Sequence, residues 1–490
     1  MLKNRFFLFS IALLILYLIV HLFALDALPV FADETIYIRW SQLIIDDWQR
    51  YLFYPMNDGK TPLQMWLMVP FLLIFDNQVW AGRLLSVLVG AISMLALMWS
   101  AKLLSKDNKT AYFVALLYIF NPFTFFYNRM AITDALLLCN LSLSFLFTLR
   151  YIYHGKISNL LCLSLFFFLS LLSKTPAVLF LPLLYIALLI RPKTLLEYVK
   201  DGLFLSAGLF LSTLMFYALR FTPLFGQLFA VGGGFLQSPD KMLSMEIFSS
   251  IWRNTQFLTE QLWTYFGLAW LVLAWPIVKS YRRQQIILFL SALFLLSSLI
   301  IFGKVLWPRY LLPISIPLIL SVALSLTHLS KAKIATFLII FLLIIKSFSF
   351  IYHSYFDVDH IPFTAKDREQ YLTEWSSGHG ITETTDYILQ LAKDKRVAVA
   401  TEGHFGTLPD GILLNLHREN VDNIYVEGIG QPIVQINPDF ITKAAGADIT
   451  LLVVNSHRLK MNLPKEDLLK EFCRVDQAPC LQVWELHLDE

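Results

Sequence analysis

The chain has 490 residues, of which 57% are apolar and only 15% are charged, and its mean hydropathy is +0.60. Average soluble proteins have about 25% charged residues, so this composition excludes a soluble enzyme, a nucleic-acid-binding module and a disordered chain. It predicts a polytopic α-helical membrane protein. Charge then divides the chain. From Asp357 onward there are 22 acidic and 12 basic residues, whereas the preceding part has 14 acidic and 27 basic residues. We therefore predict a basic membrane domain at 1–353 and an acidic soluble α/β domain at 354–490.

Hydrophobic runs recur along the predicted membrane domain. The first, Phe6–Leu25, follows Lys3 and Arg5, and no small-residue cleavage site comes after it. We interpret it as a membrane span that begins in the cytoplasm rather than as a signal peptide. Ten further runs bring the predicted total to about 11 spans, at 80–101, 110–127, 134–153, 158–173, 176–191, 202–220, 262–280, 285–302, 310–328 and 334–353.

The segment Pro62–Phe75 is apolar but too short to span, because a span needs roughly 20 residues. We interpret it as a juxtamembrane or re-entrant helix on the outer face, since the basic loops then lie inside, as the positive-inside rule requires. The residues placed inside are Lys102, Lys106, Lys109, Arg150, Lys156, Arg191, Lys193, Lys200, Lys279, Arg282, Arg283, Lys331 and Lys333. This topology predicts two large external loops, 26–79 and 221–261, and an extracytoplasmic C-terminal domain on a cell membrane protein.

The C-terminal domain shows four β-like runs, preceded by a helical stretch at Thr382–Ala392. The runs are Arg396–Thr401, Asn423–Glu427, Ile449–Val454 and Leu481–Leu486. Cys473 and Cys480 either pair in an oxidising compartment or remain small unpaired core residues, and the sequence leaves both open. His379 and His404 have glycine neighbours, which indicates turns rather than ligands. Acceptor selection and capping of the catalytic loop are both compatible with this domain.

Two carboxylates, Asp33 and Glu34, follow directly after the first span. Carboxylates near lipid are costly unless they are used or paired. Adjacent residues do not share a helix face, so at most one of them is expected to point into a cavity. The alternative is that both are solvated loop acids.

Further charges lie at predicted outer boundaries of the membrane. Several cations and two acidic sites on one face suit a phosphorylated lipid and an acid–base step. Each charge alone is also compatible with an interfacial anchor, and Asp134 is also compatible with an ion pair to Arg129. The residues are Lys60, Arg129, Asp134, Lys174, Arg309 and Tyr310.

The ordered set of motifs resembles the GT-C class of membrane-embedded glycosyltransferases. It is most similar to the protein O-mannosyltransferase family (glycosyltransferase family 39) and to the bacterial aminoarabinose transferases of lipid A. The resemblance covers roughly residues 1–350. It depends on Asp33-Glu34, Gly59-Lys60-Thr61-Pro62, Arg83, Asp134, Ser173-Lys174-Thr175 and Tyr310-Leu311-Leu312-Pro313. Outside that part, the stretch from Glu374 to Gly380 is similar to a segment of other bacterial members with external tails.

The resemblance implies an inverting transfer of a sugar from a polyprenyl-phosphate donor to an acceptor on the outer face of the membrane. It implies Asp33 as general base, with Lys60, Arg309 and Tyr310 binding the lipid phosphate. Weaker substrate-binding candidates are Glu34, Arg83, Arg129, Asp134 and Lys174. No cofactor is certain. The need for a divalent metal is left undecided. The aminoarabinose enzymes have a metal-binding-like arrangement with Glu before the Lys, and Gly59 replaces that Glu here. Asp58 and Asp134 are the candidate ligands.

Three other functions compete with this hypothesis. A non-enzymatic envelope scaffold leaves the clustering of charged residues on the outer face unexplained, at Asp33, Lys60, Asp134 and Arg309. A lipid-linked oligosaccharide flippase predicts charges in the middle of spans and internal symmetry, but Lys346 is the clear exception among mostly uncharged spans, and no repeat is evident. A glycan polymerase or ligase with a diphosphate donor shares the cationic outer face but not the early Asp-Glu loop. Expected partners are the lipid-linked donor, an unknown acceptor and membrane lipids, with no nucleic acid.

Overall fold

The computed structural model describes residues 2–56, 58–230, 232–276, 278–330, 332–419 and 421–487. Lys331, one of the residues predicted to lie inside, is therefore outside the described residues. The chain forms two compact units. The membrane unit consists of residues 1–25, 52–64 and 83–357, and the sheet unit of residues 26–51, 65–82 and 358–490. Two segments of the predicted first external loop thus belong to the same unit as the C-terminal strands.

The membrane unit is helical. Six helices in the described part of the chain are long and apolar enough to cross a membrane, namely Gln78–Ser105, Thr133–His154, Leu195–Phe221, Lys279–Phe302, Pro308–Leu329 and Thr336–Phe356. Shorter apolar helices are Phe6–Leu22, Leu63–Ile74, Ile157–Ser173 and Thr175–Ile190. The predicted multi-span helical architecture is confirmed, whereas the number of about 11 spans stays a prediction.

Some of these spans join a helix to an adjoining 3₁₀ turn or leave out a helix end, so the individual helices have slightly different bounds. The membrane unit contains the α-helices Leu2–Leu22, Asn108–Phe120, Pro122–Tyr127, Thr133–His154, Ile157–Ser173, Leu181–Ala187, Leu195–Tyr217, Glu246–Tyr265, Gly267–Ala274, Arg282–Phe302, Ser315–Leu329 and Lys333–Phe356, and the larger part of Gln78–Ser105. Two 3₁₀ segments, Thr175–Phe180 and Pro308–Ile314, begin with a proline in their first turn.

Two predicted spans differ from the structure because each is interrupted. In the run 110–127, one helix ends at Phe120 and the next begins at Pro122, whose ring lacks the N–H needed to continue a helix. In the run 262–280, a helix ends at Tyr265 and another begins at Gly267, whose φ is +76°. The ammonium of Lys346 donates to the Trp263 carbonyl at this second break, at 2.9 Å. Lys346, the clear charge within a predicted span, therefore provides a donor for one of the last carbonyls of a helix, which have no partner inside that helix.

The sheet unit contains one mixed sheet in the described residues. Its strands are β1 (Val397–Thr401), β2 (Ile424–Gly428), β3 (Ile449–Asn455), β4 (Leu468–Phe472) and β5 (Leu481–Glu485), in the order β2-β1-β3-β5-β4. The pairs β1–β2 and β1–β3 are parallel, and β3–β5 and β4–β5 are antiparallel. Its α-helices are Ala32–Asp46, Trp48–Tyr51, Ala365–Arg368, Ile381–Leu391, Asp410–Leu416 and Pro438–Ala444, with most of Leu63–Ile74.

Four of these strands and the helix Ile381–Leu391 confirm the predicted C-terminal α/β structure, whereas the domain bounds 354–490 stay a prediction. The sequence missed β4, an edge strand that carries Lys470 and Glu471 and does not alternate between apolar and polar residues. Alternate residues of the parallel strands fill two cores. Val397 and Val399 pack with the helices Ile381–Leu391 and Asp410–Leu416 on one face, while Ala398 and Ala400 pack with Pro438–Ala444 on the other.

Cys473 and Cys480 form a disulfide. The bond closes the connection between the end of β4 and the start of β5. Of the two alternatives left open by the sequence, the structure selects pairing.

Candidate functional site

Asp33 and Glu34 lie in the sheet unit, in the first turn of the helix Ala32–Asp46. The Glu34 carboxylate is fully buried and accepts a hydrogen bond from the Phe31 backbone N–H, at 2.9 Å. It thereby satisfies a donor at the helix start, as in a capping box. Asp33 is half-buried. The alternative of two solvated acids is therefore wrong for Glu34. The expectation that at most one of the pair points into a cavity stays a prediction.

The chain that enters this helix is held by the stretch from Glu374 to Gly380, also in the sheet unit. The Ala32 N–H donates to the Ser376 carbonyl at 2.9 Å, and the Gly378 N–H donates to the Val30 carbonyl at 2.8 Å. A Cβ on Gly378 would lie 2.2 Å from that Val30 oxygen, so only glycine fits. This motif therefore positions the start of the helix that carries Asp33.

In the membrane unit, the structure brings together Asp134, Lys174 and Tyr310. The Lys174 ammonium lies 2.8 Å from the Asp134 carboxylate and 4.7 Å from the centroid of the Tyr310 ring. Asp134 is in the first turn of the helix Thr133–His154, and Lys174 follows the last residue of Ile157–Ser173. The alternative of an ion pair between Asp134 and Arg129 is therefore wrong, because Asp134 pairs with Lys174.

Arg309 precedes Tyr310 in the 3₁₀ segment Pro308–Ile314. It is 8% exposed, and its guanidinium carbon lies 5.9 Å from the centroid of the Trp307 ring. The segment thus presents a buried cation and the ring that contacts Lys174 at consecutive positions.

Arg129 and Arg83 hold the end of the first helix. Arg129 donates to the carbonyls of His21, Phe23 and Ala24 at 3.0, 2.7 and 2.6 Å. Arg83 donates to the Leu25 carbonyl at 3.0 Å. The last carbonyls of a helix have no partner within it, and in an apolar unit such groups need a donor. The structure therefore shows both arginines bonded to backbone carbonyls at and just after this helix end, contacts that the sequence did not indicate.

Lys60 lies in a turn at the start of the predicted juxtamembrane helix. Its ammonium lies 3.0 Å from the Asp58 carboxylate, and its side chain is only 9% exposed. Gly59 has φ +67°, and a Cβ there would lie 3.0 Å from the Leu228 carbonyl oxygen. The glycine before Lys60 is thus required by backbone conformation.

The candidate carboxylates do not fit a divalent metal as they are placed. Asp58 and Asp134 each contact a lysine ammonium, which neutralises the oxygens that a metal would need. Among the described residues, one group of three potential ligands lies close enough together to share a metal, namely Glu471, Cys473 and Cys480, but its two cysteines are bonded to each other.

The chain is similar to known membrane glycosyltransferases. Residues 59–217 match the family model described as dolichyl-phosphate-mannose-protein mannosyltransferase. The fold is similar to that of ArnT from Cupriavidus metallidurans in the apo state, with a TM-score of 0.62, 14% sequence identity, and coverage of 99% of this chain and 98% of ArnT. For ArnT from the same organism bound to undecaprenyl phosphate, the TM-score is 0.61 and the sequence identity is 15%, with coverage of 97% of this chain and 97% of ArnT. No curated protein matches the chain.

These comparisons confirm the resemblance to the GT-C class that the sequence motifs indicated. The fold and the apolar helices make the chain a multi-pass membrane protein. Both the matched family and the similar structures are glycosyltransferases. The comparisons do not identify the sugar or the acceptor.

Proposed function

We propose that this chain is an inverting glycosyltransferase that moves a sugar from a polyprenyl-phosphate donor to an acceptor on the outer face of the membrane. The observation that carries the proposal is the Asp134–Lys174–Tyr310 group in a fold similar to that of ArnT. ArnT has been crystallised with undecaprenyl phosphate, which supports a polyprenyl phosphate as the lipid part of the donor.

The leaving group of this reaction is a lipid phosphate. Its negative charge grows as the bond to the anomeric carbon breaks, so fixed cations stabilise the transition state more than the ground state. Lys174 is held between a carboxylate and a ring face, which fixes its position before the donor binds. We assign Lys60, Lys174 and Arg309 to the donor phosphate, with Tyr310 as a hydrogen-bond donor.

Asp33 is the proposed general base. It takes the proton from the acceptor nucleophile, which attacks the anomeric carbon from the side opposite the phosphate and so inverts the configuration. A positioned base contributes about 10²–10⁴-fold to the rate. In this proposal Glu34, Arg83 and Arg129 act as positioning residues, because each bonds a backbone group in the structure.

Donor turnover tests the proposal. Wild-type protein and Asp33→Asn would be reconstituted in lipid and given several polyprenyl-phosphate sugars together with native membrane extract. We expect wild type to consume one donor and Asp33→Asn to consume it at least about 10²-fold more slowly. The matched control is Asp47→Asn, an exposed aspartate at the other end of the same helix, which should retain wild-type turnover.

Three other outcomes would contradict the assignment of Asp33 or favour one of the alternative functions. If both proteins consume the donor equally, Asp33 is not the base, although the transferase assignment survives. If neither consumes any donor while both bind polyprenyl phosphate, the chain is better explained as a flippase or another transporter. Consumption of only a diphosphate-linked donor would favour the polymerase or ligase alternative.

A further inference from the structure

The carboxyl ends of the parallel strands in the sheet unit form a distinct site. β1 runs between β2 and β3, so the connections that follow β1 and β2 leave the sheet in opposite directions. Ligands of open α/β sheets bind at such a topological switch point, outside the carboxyl ends of the strands. The residues at this place belong to segment 402–406, which directly follows β1, and to segment 455–458, which begins with the last residue of β3.

A buried carboxylate organises the switch point. Glu402 is 2% exposed, and one of its oxygens accepts from the Asn455 backbone N–H at 2.9 Å. Its other oxygen accepts from the Asn455 side-chain amide at 2.7 Å and from Nη1 of Arg458 at 3.0 Å. Burying a charge is costly unless it is paired and hydrogen-bonded. Here its bonds fix one particular arginine at the mouth of the site.

Only the Nη1 end of the Arg458 guanidinium is held by hydrogen bonds. Nη1 also donates to the Gln431 side-chain oxygen, and the guanidinium carbon lies 4.4 Å from the centroid of the Trp375 ring. Within the described part of the chain, neither Nε nor Nη2 of Arg458 has a hydrogen-bond partner. These two donors form the edge of a guanidinium that binds a carboxylate or phosphate with two parallel hydrogen bonds.

The surroundings add a second buried arginine and rigidity. Arg474 is 5% exposed and donates to the carbonyls of Ser377 and Pro479, and it has no ion-pair partner among the described residues. Arg474 lies inside the loop closed by the Cys473–Cys480 disulfide. That loop in turn bonds Ser456, which donates from its backbone N–H to the Cys480 carbonyl at 2.9 Å. The segment before Arg458 is therefore buttressed by a cross-linked turn.

We propose that Arg458 is the centre of an anion-binding site that takes a phosphate or carboxylate group of the glycosyl acceptor. The identification of the ligand as the acceptor rests on the proposed transferase function, whereas the binding of an anion at Arg458 does not. Gln431, Trp375 and Glu402 position the guanidinium, and its Nε–Nη2 edge contacts the anion.

Binding to the full chain in zwitterionic lipid nanodiscs tests the site. The probes are glucose 6-phosphate, glucuronate and glucose, measured by calorimetry. We expect the two anions to bind at least about tenfold more tightly than glucose, since hydrogen bonds to charged groups are the stronger ones. Arg458→Lys keeps a cation beside Glu402 but lacks the two-donor edge, so it should weaken both anions about tenfold or more. Arg396→Gln, which alters an exposed arginine at the amino end of β1, is the matched control and should bind normally.

The source of the anion is resolved in a second arm, with nanodiscs that contain phosphatidic acid. Loss of glucose 6-phosphate binding there identifies a lipid head group as the preferred ligand, whereas unchanged binding identifies a soluble glycan anion. Either result supports the site. Equal binding of all three probes, or unchanged anion binding by Arg458→Lys, overturns it. Donor hydrolysis without an acceptor, measured in the same preparations, reports separately on the proposed transferase function and should not change in the control Arg396→Gln.

Discussion

The two units follow opposite rules for what is exposed. In the membrane unit the outward faces of the helices are apolar, as with Phe7, Leu203 and Phe348, which are 65%, 67% and 71% exposed. In the sheet unit β3 is buried along its whole length, and exposed positions are mostly polar. Lipid tails are as apolar as leucine, so exposing an apolar residue to them costs little. Water imposes the reverse rule.

The consequence is that hydropathy identifies the interior of only one unit. In the membrane unit the interior is marked instead by polar residues, such as Arg129 and Asp134, which are buried and bonded to carbonyls or to a lysine. In the sheet unit the core is identified by the apolar residues of the strands and of the helices packed on them. The following four predictions test this contrast, from the largest expected effect to the smallest.

Replacing Arg129 should destabilise the membrane unit most. In Arg129→Met, three backbone carbonyls at the end of the first helix lose their donor, and each buried unpaired group costs about 1–3 kcal/mol. We expect loss of folded protein in thermal unfolding followed by size-exclusion chromatography in detergent. Arg150→Met, which alters an exposed arginine of the same unit, is the control. Equal stability of the two variants would contradict the positioning role of Arg129.

Gly378→Ala should act on the sheet unit at the entry to the Asp33 helix. The added methyl would lie 2.2 Å from the Val30 carbonyl oxygen, so the backbone must shift, at a cost of about 3 kcal/mol, the upper end of the usual range for overpacking. We expect faster hydrogen exchange in residues 30–35 and lower donor turnover. Gly446→Ala serves as the control, since its methyl would meet only an arginine side-chain atom at 3.8 Å. Unchanged exchange at residues 30–35 in Gly378→Ala would show that this contact does not hold the helix.

Removing the disulfide should weaken the sheet unit and spare the membrane unit. A short closed loop of this kind contributes about 2–3 kcal/mol by restricting the unfolded chain. The double variant Cys473→Ser, Cys480→Ser should show faster hydrogen exchange in β4 and β5, with unchanged exchange in the helix Thr133–His154. Faster exchange in both units would mean that they do not unfold separately.

Lowering the pH should produce the smallest effect on stability, in the turn that the Cys473–Cys480 disulfide closes. The Arg368 guanidinium donates to the Asp476 carboxylate at 2.6 Å and lowers the pKa of that carboxyl group. A carboxyl group with a lowered folded-state pKa contributes stability above its unfolded pKa of about 3.9. That contribution is lost as the pH falls through the folded pKa. Hydrogen exchange at residues 473–480 should therefore rise below about pH 4 in wild type, and Asp476→Asn should remove part of this rise. An identical acid response in both would rule out this pair as a contributor.

Much of the fold could be predicted from the sequence, because its signals are local. Runs of apolar residues indicated the helices, and short β-branched runs indicated four of the five described strands. Edge strand β4 was missed because Lys470 and Glu471 face solvent and break the alternation. Interrupted spans were missed at Pro122 and Gly267, where the backbone rather than hydropathy decides.

The candidate site could be predicted only as a set of residue types. The order of the motifs identified Asp134, Lys174 and Tyr310, but not that Lys174 contacts the other two, because they come from segments far apart in the chain. The assignment of Arg129 to substrate met a competing explanation in the structure, since helix ends in an apolar unit also need donors. Arg458 was not singled out at all, as nothing adjacent to it in sequence indicates Glu402 or Trp375.

The sequence by itself determined the class of the protein, because composition and charge decide whether a chain is stable in lipid or in water. It also determined the order of the motifs shared with GT-C glycosyltransferases. Only the tertiary structure decided which charges are used to hold helix ends, which lysine pairs with Asp134, and that Cys473 and Cys480 are bonded. The physical reason is that these outcomes depend on which groups lack a partner once the chain has folded. The partner of such a group comes from a segment distant in sequence, so no local sequence pattern indicates it.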